Sequence, residues 1–228
     1  FGSANRSMRQ PSFTDLYYNI GGAQGSIDLQ PEWSDNFETG IRVSLDINEK
    51  QALSFEQALF IRQGHNLIDW VRFAGEDTTR ATNFREVTFT GMETSLKLKN
   101  VNGNYIEAHY TAMKASESSS GFESNYVLDF LKHQLNVRAL ITLPGEINLT
   151  FRYSLQDREG GYYNPVDEIE EEFVPLNLFG VSISKNFMDG KLNTNLRVDN
   201  VLDIEVHDIG NVMLPGRMIR VGLNFAVD

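Results

Sequence analysis

Four histidines are the first residues whose chemistry asks for an explanation: His65, His109, His133 and His207. Their spacing fits no metal-ligand signature, because no two of them stand three to five positions apart with partner ligands nearby. His207-Asp208, and His65 with Asp69, could be drawn into a His–Asp base arrangement. An adjacent His–Asp in a polar loop reads first as a solvated pair. The acidic run Asp167-Glu168-Ile169-Glu170-Glu171-Glu172 offers hard oxygen ligands, but without the spacing of a calcium loop. Its plain reading is a solvated, self-repelling loop. No Gly-x-Ser-x-Gly and no Gly-rich phosphate loop occurs.

The remaining candidates are aromatic. Tyr17, Tyr18, Trp70, Tyr162 and Tyr163 lie well inside polar, turn-rich segments. Rings placed there can stack on a ligand, or form the amphipathic belt of a membrane interface. Cysteine is absent, which removes disulfides, thiolate metal sites and thiol nucleophiles. Lys and Arg total 20 against 31 Asp and Glu, a net charge of −11. That balance disfavours a nucleic-acid surface, which needs cations to neutralise phosphate. Catalysis, a metal and a cofactor are therefore not expected.

The elements that must position these residues are strands. From Ile147 to Gln156, Ile147, Leu149, Phe151, Tyr153 and Leu155 share one face, and Asn148, Thr150, Arg152, Ser154 and Gln156 share the other. The same alternation runs through 37–47, 135–143, 192–199 and 219–227. About ten strands are predicted, near 1–10, 34–48, 52–63, 84–99, 105–115, 132–143, 147–157, 173–185, 191–200 and 217–227. No run reaches the roughly 18 apolar residues of a membrane helix.

The connections alternate in length. Short ones are Glu49-Lys50-Gln51, 100–104, Pro144-Gly145-Glu146 and 186–190; long ones are 11–33, 64–83, 116–131, 158–172 and 201–216. Every short turn then falls at one end of the sheet and every long loop at the other. Transmembrane barrels show this asymmetry, with short periplasmic turns and long extracellular loops. A Greek-key sandwich would rarely keep it. Arg42, Glu56, Arg62, Glu93, Lys97, Glu107, Arg138, Arg152, Arg197 and Arg220 fall on the polar face. In a soluble sandwich that face meets solvent; in a barrel it lines the lumen. Alternation alone does not separate the two.

Particular segments then carry a resemblance. Arg9-Gln10-Pro11-Ser12-Phe13-Thr14-Asp15-Leu16-Tyr17-Tyr18 resembles the R-x-P-S-x-x-D-L-Y segment of TonB-dependent outer-membrane receptors. Leu29-Gln30-Pro31-Glu32, followed by Ser34, Asn36, Glu38 and Gly40, is similar to the same family's entry into the next strand. Asn66-Leu67-Ile68-Asp69-Trp70-Val71, Asn83 leading to Val87, and Gly91-Met92-Glu93 resemble the cobalamin and siderophore branch. So does the strand entry from Tyr126 to His133. Val198-Asp199-Asn200-Val201-Leu202-Asp203 resembles the motif before the last loop, and Pro215-Gly216-Arg217 opens the last strand. Arg220 to Val227 is similar to the C-terminal signal read by the barrel-assembly machinery, with Val227 where that signal ends in an aromatic.

The resemblance implies an all-β, antiparallel, up-and-down transmembrane barrel segment: about ten strands of a 22-stranded barrel. Residues 1–228 are expected to be its C-terminal portion, with the plug domain and N-terminal strands outside them. The implied setting is the outer membrane of a Gram-negative bacterium. The implied function is nutrient uptake (iron–siderophore, haem or cobalamin), with this chain giving barrel wall and extracellular ligand-binding loops. Tyr17, Tyr18, Trp70, Tyr162 and Tyr163 are the expected ligand contacts. Glu38, Arg42, Glu93, Arg138, Arg152, Arg197 and Arg220 are the expected lumen lining. Implied partners are lipid, the plug and remaining strands, TonB through an N-terminal region, the extracellular small molecule, and the barrel-assembly machinery. Two alternatives stay open: a self-contained ten-stranded outer-membrane barrel acting as an enzyme or small pore, and a soluble binding sandwich.

Overall fold

The structure is a computed structural model that describes residues 1–73, 76–83, 86–117, 122–124, 130–164, 169–208 and 212–226. In chain order the elements begin with β1 (Gly2–Arg9), helix α1 (Phe13–Tyr17), β2 (Asn19–Ile20), β3 (Ala23–Gln24), β4 (Glu32–Asn48), β5 (Gln51–His65), β6 (Ile68–Phe73) and β7 (Thr79–Asn83). They continue with β8 (Glu86–Asn100), β9 (Tyr105–Glu117), β10 (Phe122–Ser124), β11 (Leu131–Leu143), β12 (Ile147–Arg158), β13 (Gly161–Asn164) and β14 (Ile169–Glu172). The last are β15 (Leu176–Phe187), β16 (Leu192–Asp199), β17 (Val206–Asp208), β18 (Val212–Leu214) and β19 (Met218–Phe225).

Ten strands form one antiparallel sheet in the order β1-β4-β5-β8-β9-β11-β12-β15-β16-β19. Each pairs with its predecessor and successor among the long strands, as hairpin-connected strands must. The expected ten-strand ladder is present. The order ends at β1 and β19, and among the described residues these two do not pair with each other.

The short turns use local chemistry. Asn48 Oδ1 accepts from Lys50 N at 2.9 Å, and Asn100 Oδ1 accepts from the backbone N–H groups of Asn102 and Asn104. Such side-chain acceptors stand in for backbone partners and hold the chain in a turn.

Burial is inverted relative to a water-soluble domain. Ile41, Leu45, Leu59, Ile61, Phe151, Ile183, Leu196, Val221 and Leu223 are all exposed. Pairing registers align them into rungs. Ile141, Leu149, Ile183, Leu196 and Val221 lie side by side across β11, β12, β15, β16 and β19. The rung above runs Ala139, Phe151, Val181, Val198 and Ile219. A contiguous apolar surface of this kind requires an apolar neighbour. Aromatic rings border it. Trp33 stacks on His65 at 3.9 Å, Tyr110 OH bonds His133 Nδ1 at 2.8 Å, and Tyr153 meets Phe179 at 4.8 Å towards the long-loop end. Phe187 and Phe225 stand at the short-turn end. From Phe187 to Asn177 the strand climbs ten residues, about 33 Å along its length and about 25 Å along the normal at a tilt near 40°. That height matches the lipid-facing band of an outer-membrane barrel.

The sequence reading is corrected in the long connections. They are not featureless loops: α1 stands in 11–33, and β2, β3, β6, β7 and β10 form a second sheet in the order β10-β6-β7-β3-β2. Two further hairpins, β13–β14 and β17–β18, occupy later connections. Four of the six residues of the acidic run are strand: Ile169–Glu172 is β14, while Asp167 and Glu168 lie outside the described residues. Period-2 counting misses these pieces because they are two to six residues long and carry no lipid face to impose alternation.

Candidate functional site

The long-loop end is built on a knot of charges around the buried Asp15. Ser12 caps α1 in a capping box: Asp15 N donates to Ser12 Oγ at 3.1 Å, and Asp15 Oδ2 accepts from Ser12 N at 2.9 Å and Ser12 Oγ at 2.7 Å. Arg9 Nη1 donates to the same Oδ2 at 3.2 Å, and Trp70 Nε1–H donates to Oδ1 at 3.3 Å. Arg9 also grips Glu32 side-on, through Nε at 2.7 Å and Nη2 at 3.1 Å. Glu32 Oε2 in turn accepts from Ile68 N at 2.9 Å. Burial pushes the Asp15 carboxyl up, but the bonds from Ser12 and Trp70 and the charge of Arg9 pull it further down. It settles below the ordinary aspartate value.

A small dry core sits beside this knot. Leu29, Ile68 and Ala81 are buried together, with Leu16 and Trp70 packed against them. Asn83 joins the pieces: its Nδ2 donates to Asn66 O at 2.6 Å and Gln30 O at 3.0 Å, and its Oδ1 accepts from Gln30 N at 2.8 Å. The first two long connections are therefore one scaffold.

The expected ligand contacts divide on this scaffold. Tyr17 is exposed and tilts against Phe13 at 6.0 Å. Tyr18 is exposed and meets Trp70 edge-on at 6.0 Å. Trp70 is itself half-buried, with its indole N–H spent on Asp15. Tyr162 and Tyr163 have backbones in β13, paired with Glu171 and Glu170; their side chains lie outside the described residues. The structure thus brings Tyr18 and Trp70 together, with Tyr17 one residue earlier at the end of α1.

The expected lumen residues do share one face. Arg42 pairs with Glu56 directly across β4 and β5, and Glu107 sits between Lys97 and Arg138 across β8, β9 and β11. Arg138 pairs with Arg152, and Arg197 with Arg220. Glu38 and Glu93 lie on the same side by strand parity. Arg42 forks onto Glu56 at 2.6 and 2.9 Å, and Lys97 Nζ reaches Glu107 at 2.9 Å. Asp199 accepts from Arg197 Nε at 2.8 and 2.9 Å and from Arg220 Nη2.

Sequence reasoning missed the role of the last connection. Asn200, buried and at a φ of 49°, returns Nδ2 to Ile204 O at 2.7 Å and accepts from Ile204 N at 3.1 Å. Asp203, at a φ of 57°, accepts from Arg217 N at 2.6 Å. This clasp folds the connection so that Val206 is buried and, with Pro215, lines a cavity of about 510 Å³ beside Arg138, Arg152 and Arg197. Asn200 and Asp203, three positions apart just past the strand, were the available signal, since both residue types tolerate positive φ.

Among the described residues no group of three or more His, Asp or Glu is placed to hold a metal ion. His65 stacks on Trp33 and His133 bonds Tyr110, while the His207 and Asp208 side chains lie outside the described residues.

Comparison with known proteins agrees with this geometry. A family model described as "TonB dependent receptor-like, beta-barrel" matches residues 1–201. The copper transporter OprC superposes with a TM-score of 0.72 at 13% identity, over 98% of this chain and 36% of that one. The ferric enterobactin receptor PfeA of Pseudomonas aeruginosa, in a mutant form, superposes with a TM-score of 0.68 at 18% identity, over 97% of this chain and 37% of that one. The chain spans little more than a third of either structure's length. No curated protein matches.

Proposed function

We propose a function from one premise: this chain belongs to the TonB-dependent receptor β-barrel family. It is the C-terminal portion of the barrel of an outer-membrane receptor that imports a scarce nutrient in a Gram-negative bacterium. The observation that carries this reading is a sheet whose exposed face is apolar and whose outer edges, β1 and β19, have no further strand partner among the described residues. In lipid, an open edge leaves a row of N–H and C=O groups with no partner, so further strands must complete the wall. A self-contained ten-stranded barrel would need a β1–β19 ladder, and the described residues contain none. A soluble sandwich would bury its aliphatic rungs, whereas these are exposed.

The mechanism follows from the two ends of the wall. The long-loop scaffold faces the cell exterior and captures the nutrient, with Tyr17 and Tyr18 as stacking surfaces, Trp70 steadying Tyr18, and Tyr162 and Tyr163 contributing from β13. Glu38, Arg42, Glu93, Arg138, Arg152, Arg197 and Arg220 line the lumen and hydrogen-bond a plug domain or water. TonB, engaged through an N-terminal region beyond this chain, moves the plug. The nutrient class is a metal chelate or macrocycle: an iron–siderophore, haem or cobalamin. A siderophore is favoured by the likeness to a receptor whose name specifies ferric enterobactin.

Cells making the full-length receptor are grown with each of these nutrients as the sole source of its metal or cofactor. Growth on one of them that requires both this receptor and TonB is expected; no such dependence on any would overturn the reading. In the purified full receptor, Tyr162→Ala with Tyr163→Ala weakens binding of that nutrient at unchanged barrel yield. Unaltered affinity would return both rings to loop packing.

A further inference from the structure

The last connection roofs a cavity on the polar face of the wall. At about 510 Å³ it falls within the roughly 300–1,000 Å³ of small-molecule pockets. Leu178, Val206, Leu214, Pro215 and Met218 give it an apolar body. Asn200 and Asp203 hold the connection over it, through the bonds to Ile204 and to Arg217 N. A pocket that is apolar on one side and polar on the other suits a molecule of the same division.

The polar side is cationic, and its most accessible cation is uncompensated. Arg138 lines the cavity and is exposed, and its guanidinium has no hydrogen bond or ion pair among the described residues. Its near contact is the Tyr105 ring, 5.8 Å away. Two carboxylates line the same cavity, but both are committed. Glu107, directly across from Arg138, is held by Lys97 at 2.9 Å, and Asp199 by Arg197 and Arg220. Arg152, across from Arg138 on the other side, adds a like charge that repels it. Asn136 stands two residues along β11, exposed on the same face. Its Oδ1 accepts from Ser154 Oγ at 2.9 Å, and its Nδ2 has no acceptor among the described residues. Arg138 and Asn136 therefore present unspent N–H donors side by side at the rim of an apolar cavity. An anion seated there gains charge-assisted hydrogen bonds and offsets the repulsion between the two arginines.

We propose that this cavity binds a small amphiphilic anion, a solute with an apolar body and one carboxylate-type group. The body lies under the last connection against Leu178, Val206 and Pro215, and the anionic group meets Arg138 and Asn136. The proposal rests on the reading of this face as the lumen, and it deepens that reading by naming a chemical class of solute that the lumen wall holds.

The test uses the purified full-length receptor in lipid nanodiscs, with naphthoate as probe, naphthamide as its uncharged match and calorimetric titration as readout. Empty nanodiscs supply the heat of partition into lipid, which is subtracted. Heat-modifiable gel mobility confirms that each variant is a folded barrel. The wild type is expected to bind naphthoate at least tenfold more tightly than naphthamide. Arg138→Gln should remove that preference by weakening naphthoate alone. Leu178→Trp fills the cavity without touching a charge and should weaken both probes. A wild type that does not bind naphthoate overturns the site, as it would if a segment of the receptor itself filled the cavity. So does naphthoate binding that Arg138→Gln leaves unchanged. Nutrient-dependent growth is scored separately, so a receptor that still imports its nutrient while failing to bind naphthoate refutes this proposal and leaves the transport role standing.

Discussion

Trp70 donates its indole N–H to Asp15 across 3.3 Å and fifty-five positions of chain, pinning the second long connection to the helix of the first. Asp15 has four donors around it: Ser12 N, Ser12 Oγ, Arg9 Nη1 and Trp70 Nε1. Asp15→Ala leaves Trp70 without its acceptor and unpairs the α1 cap. A loss of about 1–3 kcal/mol is expected in the local stability of the long-loop scaffold. Hydrogen exchange at 68–71 and 79–83 would speed up by the corresponding factor, while exchange in β11 and β12 stays unchanged. Equal protection in variant and wild type would show that the knot is dispensable.

The same carboxyl sets a pH dependence. Its native value lies below that of an unfolded aspartate, which is about 3.9. A depressed value means the folded state binds fewer protons, so the stabilisation is complete above the unfolded value and fades as pH falls through the native one. Protection of 68–71 is expected to stay flat from about pH 8 to 5 and to drop only in stronger acid. Asp15→Asn should lower the plateau and remove the acid step. A transition near pH 6 would assign the titration to another group.

The strands of the barrel are legible in the sequence because lipid on one side and a wet lumen on the other force strict alternation through ten long segments. Ile147 to Gln156 is read correctly for that reason, and the pairing registers put Glu38, Arg42, Glu93, Arg138, Arg152, Arg197 and Arg220 on one face of the sheet. The long-loop scaffold is not legible in this way. Asp15, Glu32 and Trp70 meet through contacts spanning tens of residues, and no local period records such a meeting. The segments containing them were nevertheless recognisable as motifs, and the structure supplies a physical role for several of their members: Arg9, Ser12, Asp15, Glu32 and Asn83 bind one another or the neighbouring connection. Trp70 is the instructive residue. Its type suggested stacking on a ligand, whereas its indole N–H is committed to Asp15.

The apolar rungs give a face-specific prediction. Ile183 lies mid-strand in β15, between Leu149 and Leu196, on the exposed apolar side. Ser184 is the next residue, on the opposite face. Ile183→Arg should cost about 2–4 kcal/mol of barrel stability in bilayers, while Ser184→Arg costs little. Urea-driven unfolding in lipid vesicles measures both. Similar losses at the two positions would contradict the assignment of faces.

The last connection hangs on Asn200. Its amide supplies both a donor and an acceptor to Ile204 from a left-handed backbone conformation. Asn200→Ala removes two hydrogen bonds and keeps a side chain where φ is positive, so both effects destabilise. Asn200→Gly loses the bonds but relieves the backbone. Proteolysis within 201–208 is expected to quicken for Gly and further for Ala. The reverse order would mean that the side-chain bonds do not hold the clasp.

Gly91 tests how the wall accommodates large lumen-facing rings. It pairs with Phe60 across β5 and β8, and a Cβ at Gly91 would stand 2.4 Å from the Phe60 ring and 2.6 Å from Ala112 O. The first contact is with a side chain that can move; the second is with the neighbouring strand's backbone. Gly91→Ala therefore has to displace the ring and widen the β8–β9 ladder, at a cost of about 1–3 kcal/mol for overpacking. In Phe60→Leu with Gly91→Ala the ring conflict is gone and the backbone conflict remains. The pair should recover part of the loss, giving a coupling of about 0.5–2 kcal/mol in a double-mutant cycle. Full recovery would locate the whole strain in the ring. Strict additivity would mean that Phe60 does not rest on Gly91, and the packing of this part of the lumen wall would have to be redrawn.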